Sequence, residues 1–188
     1  MAYFPAFFKL DNKKILLVGG GKIAHEKLLH LLDFTDDIFL IAKDFDTITQ
    51  VTIQKYNLSF QTRTYREKEV KDFDIVVVAV DDLNLQEQIY KEAQNTRCLC
   101  NCVDSVEYCD FIFPSYIKQD DLTIAISTSG SSPSFAKHFK NYLKDKIPSD
   151  IGTFLQEMKD LRSQFPKGKE RMKMFDLKVK TYMQEWKK

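Results

Sequence analysis

Net charge is the first thing this chain lacks. Its 28 Lys and Arg stand against 27 Asp and Glu, so nothing in the overall balance points to nucleic acid or an anionic membrane as a partner. No apolar run approaches the roughly 18 residues of a membrane span. The opening Met1–Phe8 is apolar, but it has no charged start and is interrupted by Pro5, which argues against a secretory leader. Internal repeats and low-complexity tracts are also missing. Four cysteines occur, all between Cys98 and Cys109, and in a chain expected to be cytoplasmic they should stay reduced. Of its 188 residues 44% are hydrophobic, enough for a real core and for one medium domain with an appendage.

What is present alternates. Lys14–Val18 is a short apolar run ended by Gly19-Gly20-Gly21, and from Lys22 to Asp33 apolar residues recur at helical spacing before a second run, Asp37–Ala42. Strand, glycine turn, helix and strand within about thirty residues make a βαβ unit. The alternation continues through a helix over Phe45–Tyr56, strands over Leu58–Thr64 and Asp74–Val80, a helix over Leu85–Ala93 and a strand over Cys98–Val103. This pattern predicts an α/β fold with a Rossmann-type doubly wound parallel sheet. Beyond it, Phe111–Ile117 and Leu122–Thr128 read as two strands flanking Lys118–Asp121. A helix should run from Pro133 to Lys146, and two amphipathic helices over Ile151–Phe165 and Glu170–Trp186 form a short helical tail.

Gly19-Gly20-Gly21-Lys22-Ile23-Ala24 fits G-x-G-x-x-A between a strand and a helix. Gly19 permits the sharp turn, Gly21 lets a pyrophosphate approach the backbone, and the N–H groups at Lys22 and Ile23 open the helix toward the phosphates. A plain tight turn would use the same residues. For the adenosine ribose the candidate is Asp44, while Lys43 beside it would favour a 2′-phosphate if it pointed inward; the expected cofactor is NAD. Asp81 ends the fourth strand, where a doubly wound sheet places its ligand crevice, although Asp81 or Asp82 could equally cap the next helix. Asp104, after Asn101-Cys102-Val103, sits at the tip of the last strand, where a carboxylate can accept a proton or serve merely as a turn residue. Cys98, Cys100 and Cys102 alternate along one strand and so share a face. Zinc sites prefer C-x₂₋₄-C pairs at turns, so core packing is expected and no metal site. Finally, Ser127-Thr128-Ser129-Gly130-Ser131, leading to Ser132-Pro133, puts hydroxyls and N–H groups at a helix start. It suits an anionic ligand, or it is simply a well-capped helix.

Taken in order, these blocks resemble the precorrin-2 dehydrogenase/sirohydrochlorin ferrochelatase family, also found as the N-terminal module of siroheme synthase. Phe4–Leu10 is similar to its P-x-F-x-x-L opening, and Leu17–Ala24 with Lys27 to its VVGGGxVAxRK signature. Ala79–Asp82, Asn101–Asp104, Asp110–Ser115 and Ile126–Pro133 are similar to four further blocks. The resemblance covers roughly residues 1–146. It implies an NAD domain over residues 1–113, a dimerisation region over 114–147 and a helical region over 148–188. It also implies a homodimer with the tetrapyrrole near the subunit boundary.

The implied reaction is NAD-dependent oxidation of precorrin-2 to sirohydrochlorin; some members also insert ferrous iron to give siroheme. The family's important aspartate maps onto Asp104, and the acidic side arms of the substrate would meet Ser127, Thr128, Ser129, Gly130 and Ser131. Glu26 stands where the family has Arg, and Ser129-Gly130 where it has a second glycine. With no methyltransferase domain following, precorrin-2 should come from elsewhere. Of the rival readings, an NAD-binding regulatory module would share the glycine turn but has no need of Asn101–Asp104 or Ser127–Pro133. A short-chain dehydrogenase needs Tyr-x-x-x-Lys near the cofactor strands. Tyr116 is followed at the fourth position by Asp120, and Tyr142 with Lys146 lies past the sheet.

Overall fold

A computed structural model describes residues 3–186. Met1, Ala2, Lys187 and Lys188, which belong to the terminal stretches read above, lie outside the described residues. The chain divides into two compact units, one spanning Phe4–Ile112 and the other beginning at Phe113.

The first unit is the alternating one. Its elements are β1 (Ile15–Val18), α1 (Lys22–Leu32), β2 (Ile38–Ala42), α2 (Thr47–Tyr56), β3 (Ser59–Thr62), β4 (Ile75–Val78), α3 (Leu83–Gln94) and β5 (Leu99–Cys102). The five strands are parallel in the order β3-β2-β1-β4-β5, a Rossmann-like α/β arrangement that reverses direction between β1 and β4. Every residue of β1 and β4 is buried, as expected for central strands covered by helices on both faces. The edge strand β3 is exposed throughout.

Cys98, Cys100 and Cys102 are buried in one cluster with Val76, Val78 and Ile89, and Cys100 Sγ lies 3.7 Å from Cys102 Sγ. Burial pushes the Cys98 thiol up to about 12. A hydrogen bond with Cys102, with burial added, pushes Cys100 up as well. These are inert core thiols. Among the described residues no group of three or more His, Cys, Asp or Glu side chains is arranged to hold a metal ion. Nor is any helix among them long and apolar enough to cross a membrane.

The second unit opens with an antiparallel pair, β6 (Ser115–Gln119) and β7 (Leu122–Ile126), in register from Ser115↔Ile126 to Gln119↔Leu122. The apolar pattern predicts a strand from Phe111 and leaves Lys118–Asp121 between the two strands. Instead Lys118 and Gln119 are paired, and only Asp120 and Asp121 make the turn, Asp120 taking φ 52°. Asp tolerates that left-handed conformation because its short side chain can bond locally. At the other end the strand starts late because the backbone before Pro114 is committed elsewhere: the Phe111 carbonyl accepts from Asn101. Helix α4 (Pro133–Lys144) stops two residues before Lys146, where the Lys146 and Ile147 N–H groups both turn back to the Leu143 carbonyl. Helices α5 (Ile151–Gln164) and α6 (Lys169–Glu185) pair through Phe154 stacked on Tyr182 at 3.9 Å. The Tyr182 hydroxyl donates to Asp150 at 2.9 Å.

Candidate functional site

Register builds the site's rim. Val18, Ile41, Val78 and Cys102 lie in one row across four strands. The ladder runs one step further: Gly19 N–H donates to Ile41 O, Ala79 N–H to Val18 O and Val103 N–H to Val78 O, at 2.8, 2.8 and 2.9 Å. The turns that follow therefore leave the sheet side by side, beyond the carboxyl ends of the strands. In an open α/β sheet ligands bind there, at the point where strand order reverses.

The three glycines are not equivalent. Gly19 has φ +130°, and a Cβ on it would come 2.3 Å from the Ala79 carbonyl oxygen. A Cβ on Gly20 would meet the Asp44 carbonyl oxygen at 2.1 Å. Both are demanded by neighbouring backbone. Gly21 is different, since a Cβ there would meet nothing within 4 Å. It is the extended N-cap of α1, with no side-chain cap and no acidic residue in the first turn. The leading N–H groups of a helix lack partners within it, so Lys22 and Ile23 offer donors and a positive dipole end to open space. That cradle fits the pyrophosphate of a dinucleotide.

A buried pair keeps α1 in place. The Thr52 hydroxyl donates to Ile48 O, so its oxygen accepts from His25 Nε2–H at 3.0 Å, which joins α1 to α2.

Lys43 and Asp44 follow β2 and are both exposed. The next cation along this rim, Arg63 after β3, is held by the Glu69 carboxylate, and its Nη1 also donates to Thr64 O at 2.9 Å. After β4, Asp82 caps α3 by accepting from Leu85 N–H at 3.1 Å, while Asp81 is exposed and makes no cap. Asp104, after β5, is exposed with φ 65°. Gly19, Gly21, Lys22, Ile23, Lys43, Asp44, Asp81 and Asp104 thus all belong to one rim of the first unit.

Ser127–Ser131 belong to the second unit. Much of this turn's N–H supply is used internally. Ser129 N–H donates to Ser127 Oγ, Ser132 N–H to Thr128 Oγ1 and Ser131 N–H to Thr128 O, while Ser132 Oγ caps α4 by accepting from Phe135 N–H. Because Ser127 and Thr128 accept inside the turn, their hydroxyl protons stay available to an outside acceptor.

Three polar side chains that shape the rim carry no sequence signature of that role. Gln86 on α3 is buried; its Nε2 donates to Val80 O at 2.8 Å, and its Oε1 accepts from Ser105 Oγ. One side chain thereby ties the turn bearing Asp81 to the turn bearing Asp104. Asn101 Nδ2 donates to Phe111 O at 2.8 Å and contacts Cys109 Sγ at 3.4 Å. Asp110 pairs with the free edge of β5: its N–H donates to Cys100 O and its carboxylate accepts from Cys100 N–H, both at 2.8 Å. The helical period that reads Gln86 as one more polar position holds no signal for these long-range bonds.

Comparison with known proteins follows the same lines. The model of a family described as "Putative NAD(P)-binding" matches residues 6–115. The siroheme synthase of Pseudoalteromonas translucida (strain TAC 125) is 33% identical over 175 residues, covering 93% of this chain and 36% of that protein. The siroheme synthase of Mannheimia succiniciproducens is 30% identical over 152 residues, 81% of this chain and 32% of that one. The chain therefore spans about a third of the length of the curated relatives it matches. A solved structure titled SirC, precorrin-2 dehydrogenase, superposes with a TM-score of 0.79, covering 98% of this chain and 99% of that one. At 20% identity that likeness establishes the fold.

Proposed function

Since the chain belongs to the NAD(P)-binding family matched over residues 6–115, we propose that it oxidises precorrin-2 to sirohydrochlorin with NAD as hydride acceptor, a step of siroheme biosynthesis. The observation that carries the reading is the uncapped, sterically open Gly21 end of α1, on the same strand-tip rim as Asp104. Similarity to siroheme synthases over most of this chain supports the choice of substrate.

Each residue has a task in this reading. Gly19 makes the turn against Ala79, and Gly21, Lys22 and Ile23 hold the pyrophosphate. Asp44 receives the adenosine ribose hydroxyls. With Arg63 already engaged by Glu69, Asp44 favours NAD over its 2′-phosphorylated form, Lys43 notwithstanding. Asp81 borders the crevice. The bound nicotinamide supplies a hydride acceptor. Loss of hydride leaves a proton to be removed from the macrocycle, and Asp104 is the carboxylate that takes it. Ser127, Thr128, Ser129, Gly130 and Ser131 donate to the carboxylate arms of the substrate.

A cytoplasmic homodimer, divided at residues 113 and 147 into cofactor, dimerisation and helical regions, completes the proposal. Light scattering on the purified protein tests the dimer. Purified protein with NAD and precorrin-2 should form NADH and sirohydrochlorin, and Asp104→Asn, which keeps a residue suited to the left-handed backbone at φ 65°, should slow this by about 100-fold with a nearly unchanged melting temperature. Wild-type protein that yields no NADH refutes the proposal. Sirohydrochlorin with ferrous iron, with and without the protein, separates an enzyme that also inserts iron from one that stops at oxidation.

A further inference from the structure

Strand β3 ends at Thr62, which is paired with Ala42 at the end of β2. The ladder runs one bond further, from Arg63 N–H to Ala42 O at 2.7 Å. Arg63 therefore leaves the sheet beside the tip of β2, which Asp44 follows by two residues. The backbone at Asp44 is itself held against the glycine turn: a Cβ on Gly20 would stand 2.1 Å from its carbonyl oxygen, and Asp46 N–H donates to Gly20 O at 2.9 Å. In dinucleotide-binding folds a carboxylate at this tip takes the ribose hydroxyls, and a nearby arginine takes a 2′-phosphate. Both residue types stand here.

The arginine is committed elsewhere. Its Nη1 donates to Glu69 Oε2 at 3.0 Å and its Nη2 to Glu69 Oε1, the two-pronged pairing that suits a planar guanidinium. Its Nε donates to Gln61 Oε1, and Nη1 donates also to Thr64 O at 2.9 Å. The two side chains are only 18% and 20% exposed, unlike the loose surface pairs that water and salt screen. Glu69 is fixed in turn, since its Oε2 accepts from Arg66 N–H at 2.7 Å. The loop between them is pinned to α3, where Glu92 accepts from the Tyr65 hydroxyl at 2.6 Å and from Lys68 N–H at 2.8 Å. Burial pushes the Glu69 carboxyl up, but the bonds from Arg63 and Arg66 outweigh it and hold the group below its ordinary value. The pair stays charged, and closed, at neutral pH.

We infer that Glu69 is a specificity-determining residue: by holding the Arg63 guanidinium, it withholds the cation that a 2′-phosphate needs and so fixes the preference for a free 2′-hydroxyl. The role rests on the cofactor proposed above and not on the macrocycle. A paired guanidinium brings no net charge to the ribose end, and Asp44 repels a phosphate there. Discrimination against NADP thus uses a withheld attraction as well as a repulsion.

The test is calorimetric titration of the full chain with NAD and with NADP. Glu69→Gln keeps the shape of the side chain and an acceptor for Arg66 N–H, but it loses the charge that holds Arg63. It should bind NADP about tenfold more tightly than wild type, the lower end of what one charge-assisted hydrogen bond gives because Asp44 remains, with NAD affinity unchanged. Adding Arg63→Gln should return NADP to its wild-type affinity, which separates a released guanidinium from a loop that has merely loosened. Arg63→Gln by itself should leave NADP no weaker than in wild type, since the guanidinium is already withheld. An unchanged NAD-to-NADP affinity ratio in Glu69→Gln overturns the proposal, as does a gain that survives in the double variant. Weaker NADP binding by Arg63→Gln alone overturns it too, because Arg63 would then reach the phosphate past Glu69. These results leave NAD binding by the wild type intact, whereas a wild type that binds neither dinucleotide defeats the cofactor reading and the proposal together.

Discussion

Substituting the glycines one at a time separates what the fold needs from what the ligand needs. Gly21→Ala places a methyl group where nothing lies within 4 Å, on a residue already extended at φ −88° and ψ −170°. Alanine is the poorer N-cap by about 0.5–1 kcal/mol, but it restricts the unfolded chain by about 0.4–1 kcal/mol in its favour. The two terms nearly cancel, and the melting temperature should move by less than about 2 °C. The methyl would, however, stand in the path of a pyrophosphate. Losing one charge-assisted hydrogen bond costs about 1.5–3 kcal/mol, roughly a 10- to 100-fold rise in Kd. Gly19→Ala should behave in the opposite way. Its φ of +130° and the 2.3 Å approach to the Ala79 carbonyl imply about 3 kcal/mol of destabilisation, or roughly 6–12 °C for a chain of this size. Calorimetric titration with NAD and a thermal melt on each variant provide both readings. A Gly21→Ala protein that binds NAD as tightly as wild type refutes the placement of the phosphates on α1.

Three other expectations follow from single interactions. Gln86→Ala leaves the Val80 carbonyl and the buried Ser105 hydroxyl without partners, at about 1–3 kcal/mol each; a melting temperature within 2 °C of wild type, roughly 1 kcal/mol at most, would contradict the role given to that side chain. Asp44→Ala should weaken NAD by about tenfold while barely touching NADP, and an unchanged NAD-to-NADP affinity ratio would remove Asp44 from the ribose site. Asp74 accepts from Lys13 Nζ at 2.7 Å and Lys14 N–H at 3.0 Å, and these bonds hold its carboxyl below the usual range. Its contribution is present above the unfolded carboxylate pKa and fades as pH falls through the depressed folded value; Asp74→Asn should flatten part of the acid limb of a plot of melting temperature against pH, and a curve parallel to wild type would count against it.

The first unit was legible because its signals are local and redundant. Continuous apolar runs mark β1 and β4, the glycine turn marks the start of α1, and the cysteines at alternate positions in and before β5 behave as the core residues their spacing suggests. The second unit was legible in kind but not in register. Phe111–Phe113 is as apolar as a strand, yet Asn101 takes the Phe111 carbonyl, and the hairpin closes on two residues rather than four. The acid pair after β4 was ambiguous from sequence, and geometry divides the work by giving the cap to Asp82. What the sequence could not convey is the cross-bracing by Gln86 and Asp110. Each is an ordinary polar residue whose partners lie as much as 19 and 16 positions away, and a local period carries no information at that range.

The bonds between Asp110 and Cys100 reach beyond the rim. An uncovered strand margin invites pairing by a foreign chain, but here the last stretch before the second unit doubles back and occupies that margin itself. The nucleotide-binding half is thus finished before its neighbour begins. A half completed in this way presents no sticky flank on that side to a foreign strand, whatever the chain carries after it.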